Sequence, residues 1–159
     1  MEADIMDYLS QEDVDTLSPG ILAYVGDAVY EVYVRKHLLK NKLVDKDQSI
    51  DLDALHKEAV LRVCATAQAQ ALTDLESSLL PDEACVARRA RNIKIGRGPR
   101  SMPVLDYRHS TGFEAVIGYL YLTGKSSRLK EVLLEALNAI EFRIKQSQFE
   151  PELNKNGKK

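Results

Sequence analysis

Residues 19–40, PGILAYVGDAVYEVYVRKHLLK, set the architecture. Proline suits the first turn of a helix, where the N–H it lacks would have no partner anyway. After Pro19, Leu22, Val25, Val29 and Val32 recur on one face at helical spacing. The pattern predicts a helix of about twenty residues ending near Lys40. Beyond it, the polar segment 41–49 reads as a loop. Residues 51–79, rich in Ala, Leu, Gln and Glu, read as two consecutive helices, since a single one would be long for a small domain. Pro81, followed by Asp82 and Glu83, opens a further helix that runs to Arg91. Gly96, Gly98, Pro99 and Pro103 then place residues 95–109 in a loop. Apolar helices follow over 111–122 and 127–146, and the tail PELNKNGKK reads as disordered. Upstream, residues 4–16 read as a short acidic helix in which Ser10 and Asp13 resemble a capping box. No stretch alternates with period two, so the fold class is all-α. The organisation expected is an acidic extension over 1–16, one domain over 17–148 and a tail over 149–159.

The chain has 159 residues, of which 45% are hydrophobic and 29% charged, a composition that excludes disorder throughout. No apolar run approaches the roughly twenty residues of a membrane span, and the start MEADIMDYLSQEDVD is no secretion signal. Cys64 and Cys85 lie far apart without zinc-like spacing and read as buried thiols in a reducing compartment, so a cytoplasmic location is expected.

A net charge of −2 argues against a generic nucleic-acid binder, but the charge is unevenly placed. Residues 88–108 hold seven bases and one acid, whereas the other 138 residues hold 15 bases and 23 acids. A basic segment on an acidic body points to a local polyanion site. Arginine forks at Arg88, Arg89, Arg91, Arg97 and Arg100, with Lys94, suit phosphate oxygens, and the intervening glycines let the backbone approach a ribose-phosphate chain. The plainer reading, a solvated helix end favoured by the helix dipole, does not extend as far as Arg97 and Arg100.

Asp27 stands beside Gly26 in an otherwise apolar helix. A carboxylate among core-facing side chains must be paired, neutralised or bound to a metal; the plainer reading of Asp27 is a surface acid. Glu31 lies one turn on and could share that side, or could simply pair with Arg35 at (i, i+4). Glu114 begins the apolar stretch after Thr111. It is either the far end of a Thr111-x-x-Glu114 capping box or a second buried carboxylate. Gly26 and Gly118 each remove a side chain next to an acid, so the two helices could cross closely there. Converging carboxylates from two helices would make a hard oxygen site suited to magnesium. His109 and Ser110 lack any triad spacing, His37 and His56 look like ordinary helix residues, and Tyr119 and Tyr121 read as packing residues.

The stretches LAYVGDAVYEVYVRKHL, AQAQAL, RRARN and YRHSTGFEAVIGYLYLTG, in this order, resemble the Mini-ribonuclease III branch of the ribonuclease III family. The resemblance runs from about Leu17 to Leu129. It implies an all-helical, homodimeric endonuclease domain that cleaves double-stranded RNA with Mg²⁺ and matures the large-subunit (23S) ribosomal RNA precursor. It also leaves room for a ribosomal protein that presents the substrate. Members of this branch lack a separate RNA-binding domain, so the resemblance assigns much of the grip on RNA to the basic segment. Asp27 matches the family's essential aspartate and Glu114 its metal-binding glutamate. Ala23 and Thr111 stand where longer family members carry further acids, which leaves the rest of the metal shell open; Asp51, Asp53 or Glu58 could contribute. The implied reaction is metal-assisted hydrolysis leaving a 5′-phosphate and a 3′-hydroxyl. Two alternatives stay open: a catalytically inactive dimeric RNA-binding or ribosome-assembly module, and a helical phosphohydrolase acting on small nucleotides. The second would ordinarily show His-Asp pairs or repeated Glu-x-x-Glu ligands, which the sequence lacks.

Overall fold

The computed structural model describes residues 7–44, 49–93 and 103–155. These form seven helices and, among the described residues, no strand: α1 (Gln11–Thr16), α2 (Pro19–Val44), α3 (Leu52–Val63), α4 (Ala65–Leu75), α5 (Pro81–Arg91), α6 (Val104–Leu122) and α7 (Ser126–Lys155). Among the described residues no helix is long and apolar enough to cross a membrane.

Helix α6 is the hub. Ser110–Gly112, Phe113 and Ala115–Leu120 are all buried, so the helix is apolar nearly all round and must be enclosed. Helices α2, α4, α5 and α7 pack around it. The ends are fixed locally. Asp51 caps α3 by accepting from the Ala54 N–H at 2.8 Å, and Pro81 opens α5 while Glu83 Oε2 accepts from the Leu80 N–H at 2.9 Å. Helix α6 stops at Gly124, whose φ of 68° lets the Lys125 N–H return to the Leu120 carbonyl at 3.0 Å and the Gly124 N–H to Tyr121 at 3.1 Å.

The division of 51–79 into two helices and the Pro81 start are as the sequence predicts. Other expectations are corrected. Helix α1 begins at Gln11, with Ser10 Oγ accepting from the Asp13 N–H at 3.1 Å. Residues 7–10 are not helical: the Leu9 N–H is used on the Leu122 carbonyl at 2.9 Å, satisfying an end of α6. Helix α2 continues to Val44 through residues read as loop, and Lys42 there pairs with Glu58 at 3.0 Å. Its buried face is Leu22, Ala23, Gly26, Tyr30, Val34 and Leu38; of the predicted face Leu22 is buried, Val25 and Val29 are only partly so, and Val32 is exposed. Rotating α2 this way turns its small residues and Tyr30 toward α6, where Tyr30 meets Phe113 edge-on with ring centroids 5.0 Å apart.

Helix α6 starts at Val104, so residues 104–109, read as loop, are helical: Pro103 occupies the N-cap position, which a proline tolerates. Thr111 is therefore interior, and its hydroxyl donates to the Tyr107 carbonyl at 2.9 Å. The capping-box reading of Thr111 and Glu114 fails. Helix α7 carries past Gln146 to Lys155. Cys64, at the α3–α4 junction, is exposed and Cys85 only partly buried, so neither is the buried thiol expected.

Candidate active site at the crossing of two glycines

Helices α2 and α6 touch backbone to backbone. A Cβ built on Gly26 would stand 1.7 Å from the Glu114 carbonyl oxygen and 2.7 Å from the Gly118 nitrogen. One built on Gly118 would stand 1.9 Å from the Leu22 carbonyl oxygen. Only glycine fits at either position, as the sequence suggests. This approach brings Asp27, next to Gly26, and Glu114, one turn before Gly118, within electrostatic reach of each other.

The two acids have different surroundings. Asp27 is exposed, not core-facing as its neighbours suggest, because successive residues on a helix point about 100° apart and Gly26 takes the inward position. Glu114 is partly buried, and its carboxyl is pushed up to about 8, first by burial and then by the Asp27 charge, against an opposing hydrogen bond from Gln68. Among the described residues neither acid is paired with Lys or Arg. At neutral pH the pair thus retains a proton that a divalent cation would displace. Two carboxylates without a counter-ion form a hard oxygen donor set, and such a set fits magnesium, which keeps several waters and takes few protein ligands.

The other acidic candidates lie elsewhere. Glu31 pairs with Arg35 along α2, the plainer of its two readings. Asp51 is committed as the α3 cap, Glu58 to Lys42, and Asp53 is exposed on the first turn of α3. Among the described residues no three His, Cys, Asp or Glu side chains come together as a metal cluster, so none of these joins the pair. Ala23 and Thr111 are both buried, and neither supplies a carboxylate.

Sequence reasoning missed Gln68. It lies on α4, 1% exposed, with Nε2 donating to the Val63 carbonyl at 3.2 Å and Oε1 without a partner. Its signal was a polar residue within ATAQAQAL, masked because the whole run also reads as ordinary helix formers.

The basic segment divides. Arg88 and Arg89 are exposed on the last turn of α5. Arg91 is committed instead to Glu76 at 3.1 Å, and its Cγ would stand 3.0 Å from a Cβ on Gly112. A Cβ there would also stand 3.2 Å from the Ala87 carbonyl oxygen, so the basic end of α5 rests on α6 within one turn of Glu114. Lys94, Arg97 and Arg100 lie outside the described residues.

Comparison with known proteins bears on what this crossing is. The Ribonuclease III domain family matches residues 21–125, a span that includes both glycines and both acids. The Mini-ribonuclease 3 of a Thermoanaerobacter species is 41% identical over 133 residues, 84% of this chain and 89% of that one. The Mini-ribonuclease 3 of Symbiobacterium thermophilum is 46% identical over 126 residues, 79% of this chain and 92% of that one. A crystal structure of a Fusobacterium nucleatum protein superposes with a TM-score of 0.68 at 28% identity, covering 80% of this chain and 97% of that one. The chain therefore belongs to the ribonuclease III family, in its Mini-ribonuclease 3 branch, and is an endoribonuclease.

Proposed function

We propose that the protein cleaves double-stranded RNA with Mg²⁺ held by Asp27 and Glu114, that it works as a homodimer, and that its substrate is the large-subunit (23S) ribosomal RNA precursor. The observation that carries this reading is the partly buried Glu114 carboxyl facing Asp27 across the glycine crossing, with no cation beside either among the described residues. Magnesium at the pair would polarise a phosphoryl oxygen and lower the pKa of an attacking water.

The chain's own groups set the rest. Glu114, held protonated by burial and by the Asp27 charge, would have to release that proton for both carboxylates to hold the cation. Asp27, on the open side of the crossing, is the carboxylate that a phosphodiester reaches first. Arg88 and Arg89 offer exposed guanidinium forks to backbone phosphates, and A-form RNA is recognised largely through such phosphate and 2′-hydroxyl contacts. Tyr24, three residues before Asp27 and 82% exposed, supports a covering second copy, as does Ile21, 48% exposed. Two-fold pairing would set one site against each strand.

The test is digestion of a long RNA duplex with and without Mg²⁺, alongside Asp27→Asn. The wild type should yield fragments bearing 5′-phosphate and 3′-hydroxyl ends only with the metal, and the variant should bind the duplex without cutting it. A variant that still cuts, or one that folds but no longer binds, would overturn the role given to Asp27.

A further inference from the structure

A cavity of about 560 Å³ opens between α2 and α7, within the roughly 300–1,000 Å³ of small-molecule sites. Tyr33, Lys36, His37 and Lys40 line it from α2, and Leu129, Lys130 and Leu133 from α7. Lys36 stands nine residues after Asp27, about two and a half helical turns, and so points away from the side of α2 that carries that acid. The charge in the cavity is one-sided. No Asp or Glu lines it, and among the described residues Lys36, Lys40 and Lys130 pair with no carboxylate. Glu141 stands 3.9 Å from His37 Nε2, but Arg62 already holds it at 2.7 Å. Lys36 and Lys40 are one turn apart, and like charges so placed repel each other. Two further rings complete the wall. Tyr119 is buried and packs as the sequence suggests, whereas Tyr121 is 40% exposed and lines the cavity with Tyr8. Tyr8 is fixed there: its hydroxyl lies 3.3 Å from Ser126 Oγ, and a Cβ on Gly124 would stand 2.6 Å from its ring.

We propose that this groove between α2 and α7 binds a phosphorylated nucleoside, with Lys36, Lys40 and Lys130 taking the phosphates and the Tyr121 ring stacking on the base. Lysine ammonium groups act as point charges on phosphate, and an anion among the three would replace their repulsion with attraction. Aromatic stacking accepts any base, since every base has a π-face. Leu129 and Leu133 add apolar wall that a bare phosphate would not use. The groove draws on neither Asp27 nor Glu114, so the inference stands apart from the reading of the crossing. Two sources carry the same chemistry: a free nucleotide and the 5′-phosphorylated end of an unpaired RNA strand.

The experiment uses the full chain in a chelator, which removes metal-bridged binding at the carboxylates. Calorimetry measures adenosine 5′-diphosphate, pyrophosphate and a 5′-phosphorylated single-stranded RNA tetranucleotide. The expected result is that the diphosphate nucleotide binds at least about fivefold more tightly than pyrophosphate. Tyr121→Leu should remove that advantage and leave pyrophosphate binding as it was. Lys36→Gln with Lys40→Gln should weaken both ligands about tenfold or more. Arg88→Ala with Arg89→Ala should bind the nucleotide as the wild type does, which separates the groove from the basic end of α5. A tetranucleotide bound more tightly than the nucleotide, through the same residues, makes an RNA end the source; one bound more weakly makes it a free nucleotide. Pyrophosphate bound as tightly as the nucleotide overturns the proposal. So does an affinity that Lys36→Gln with Lys40→Gln leaves unchanged, or no binding at all, as expected if the lysine stems only cover Leu129 and Leu133. On the unaltered chain, the His37 ring protons followed by NMR should shift when the nucleotide is added while those of His56, on α3, stay in place; an unmoved His37 overturns the location.

Discussion

Replacing Gly26 with alanine tests whether α2 and α6 meet at backbone contact. The new methyl would stand 1.7 Å from the Glu114 carbonyl oxygen, 2.7 Å from the carbonyl carbon and 2.7 Å from the Gly118 nitrogen. All three are main-chain atoms, so no side chain can rotate away. Ordinary contact begins near 3.4 Å, so the helices must separate by roughly 1.5 Å, and a gap of about 0.5–1 Å already forfeits a quarter to a half of the dispersion attraction. The side chains along this interface include Leu22, Tyr30, Phe113 and Ile117, each 2% exposed or less. Overpacking ordinarily costs about 1–3 kcal/mol. A backbone-to-backbone clash stands at or above that range, offset by the ~0.5–1 kcal/mol that alanine gains over glycine within a helix. A net loss of about 3 kcal/mol is expected, out of a total stability of about 5–15 kcal/mol. Denaturant unfolding followed by far-UV circular dichroism measures it. Gly20→Ala, whose methyl meets nothing nearer than Ser18 Oγ at 3.9 Å, serves as the control and should be neutral or stabilising. Gly26→Ala should also cut poorly even where folded, because the displaced carbonyl is that of Glu114. Equal unfolding midpoints for Gly26→Ala and Gly20→Ala would refute the close crossing.

Three further outcomes follow from the same geometry. Because the fold raises Glu114 from 4.5 to about 8, it favours the protonated acid; the stability Glu114 contributes is complete below about pH 4.5 and is lost as pH rises through about 8. With a chelator present, the wild type should therefore melt lower at pH 8 than at pH 5 and Glu114→Gln should lack that fall; parallel pH profiles would contradict it. Arg128 holds the Glu83 carboxylate, 1% exposed, through Nε at 2.8 Å and Nη2 at 2.9 Å. Arg128→Met leaves that charge enclosed and should cost about 3–5 kcal/mol, partly recovered by adding Glu83→Gln; a loss below about 1 kcal/mol would show the pair to be dispensable. Finally, Arg88→Ala with Arg89→Ala should flatten the plot of log affinity for duplex RNA against log salt by up to about one unit for each phosphate that is no longer neutralised, without moving the melting temperature; an unchanged slope would remove these arginines from the RNA surface.

The helical class, the break between α3 and α4, the proline start of α5 and the glycine-to-glycine crossing were all legible in the chain before it was folded. Each rests on information carried within a few residues: period, breakers, and two glycines placed beside two acids. The sequence also brought Asp27 and Glu114 forward as a pair, from the residues and more specifically from the family resemblance. What it could not fix was rotation about a helix axis. Whether α2 buries Val25 or Gly26 depends on which face of α6 offers room, and that choice put Asp27 in solvent and Val32 outside the core. Nor could it tell Pro103 the loop breaker from Pro103 the cap, since the same missing N–H serves both, and so the first turn of α6 was hidden. The commitment of Arg91 to Glu76 and the burial of Glu83 under Arg128 link residues 15 and 45 positions apart. Only the packed bundle chooses such partners, because desolvation makes a buried charge or amide take whichever group the neighbouring helix presents, and nothing in the local pattern names it.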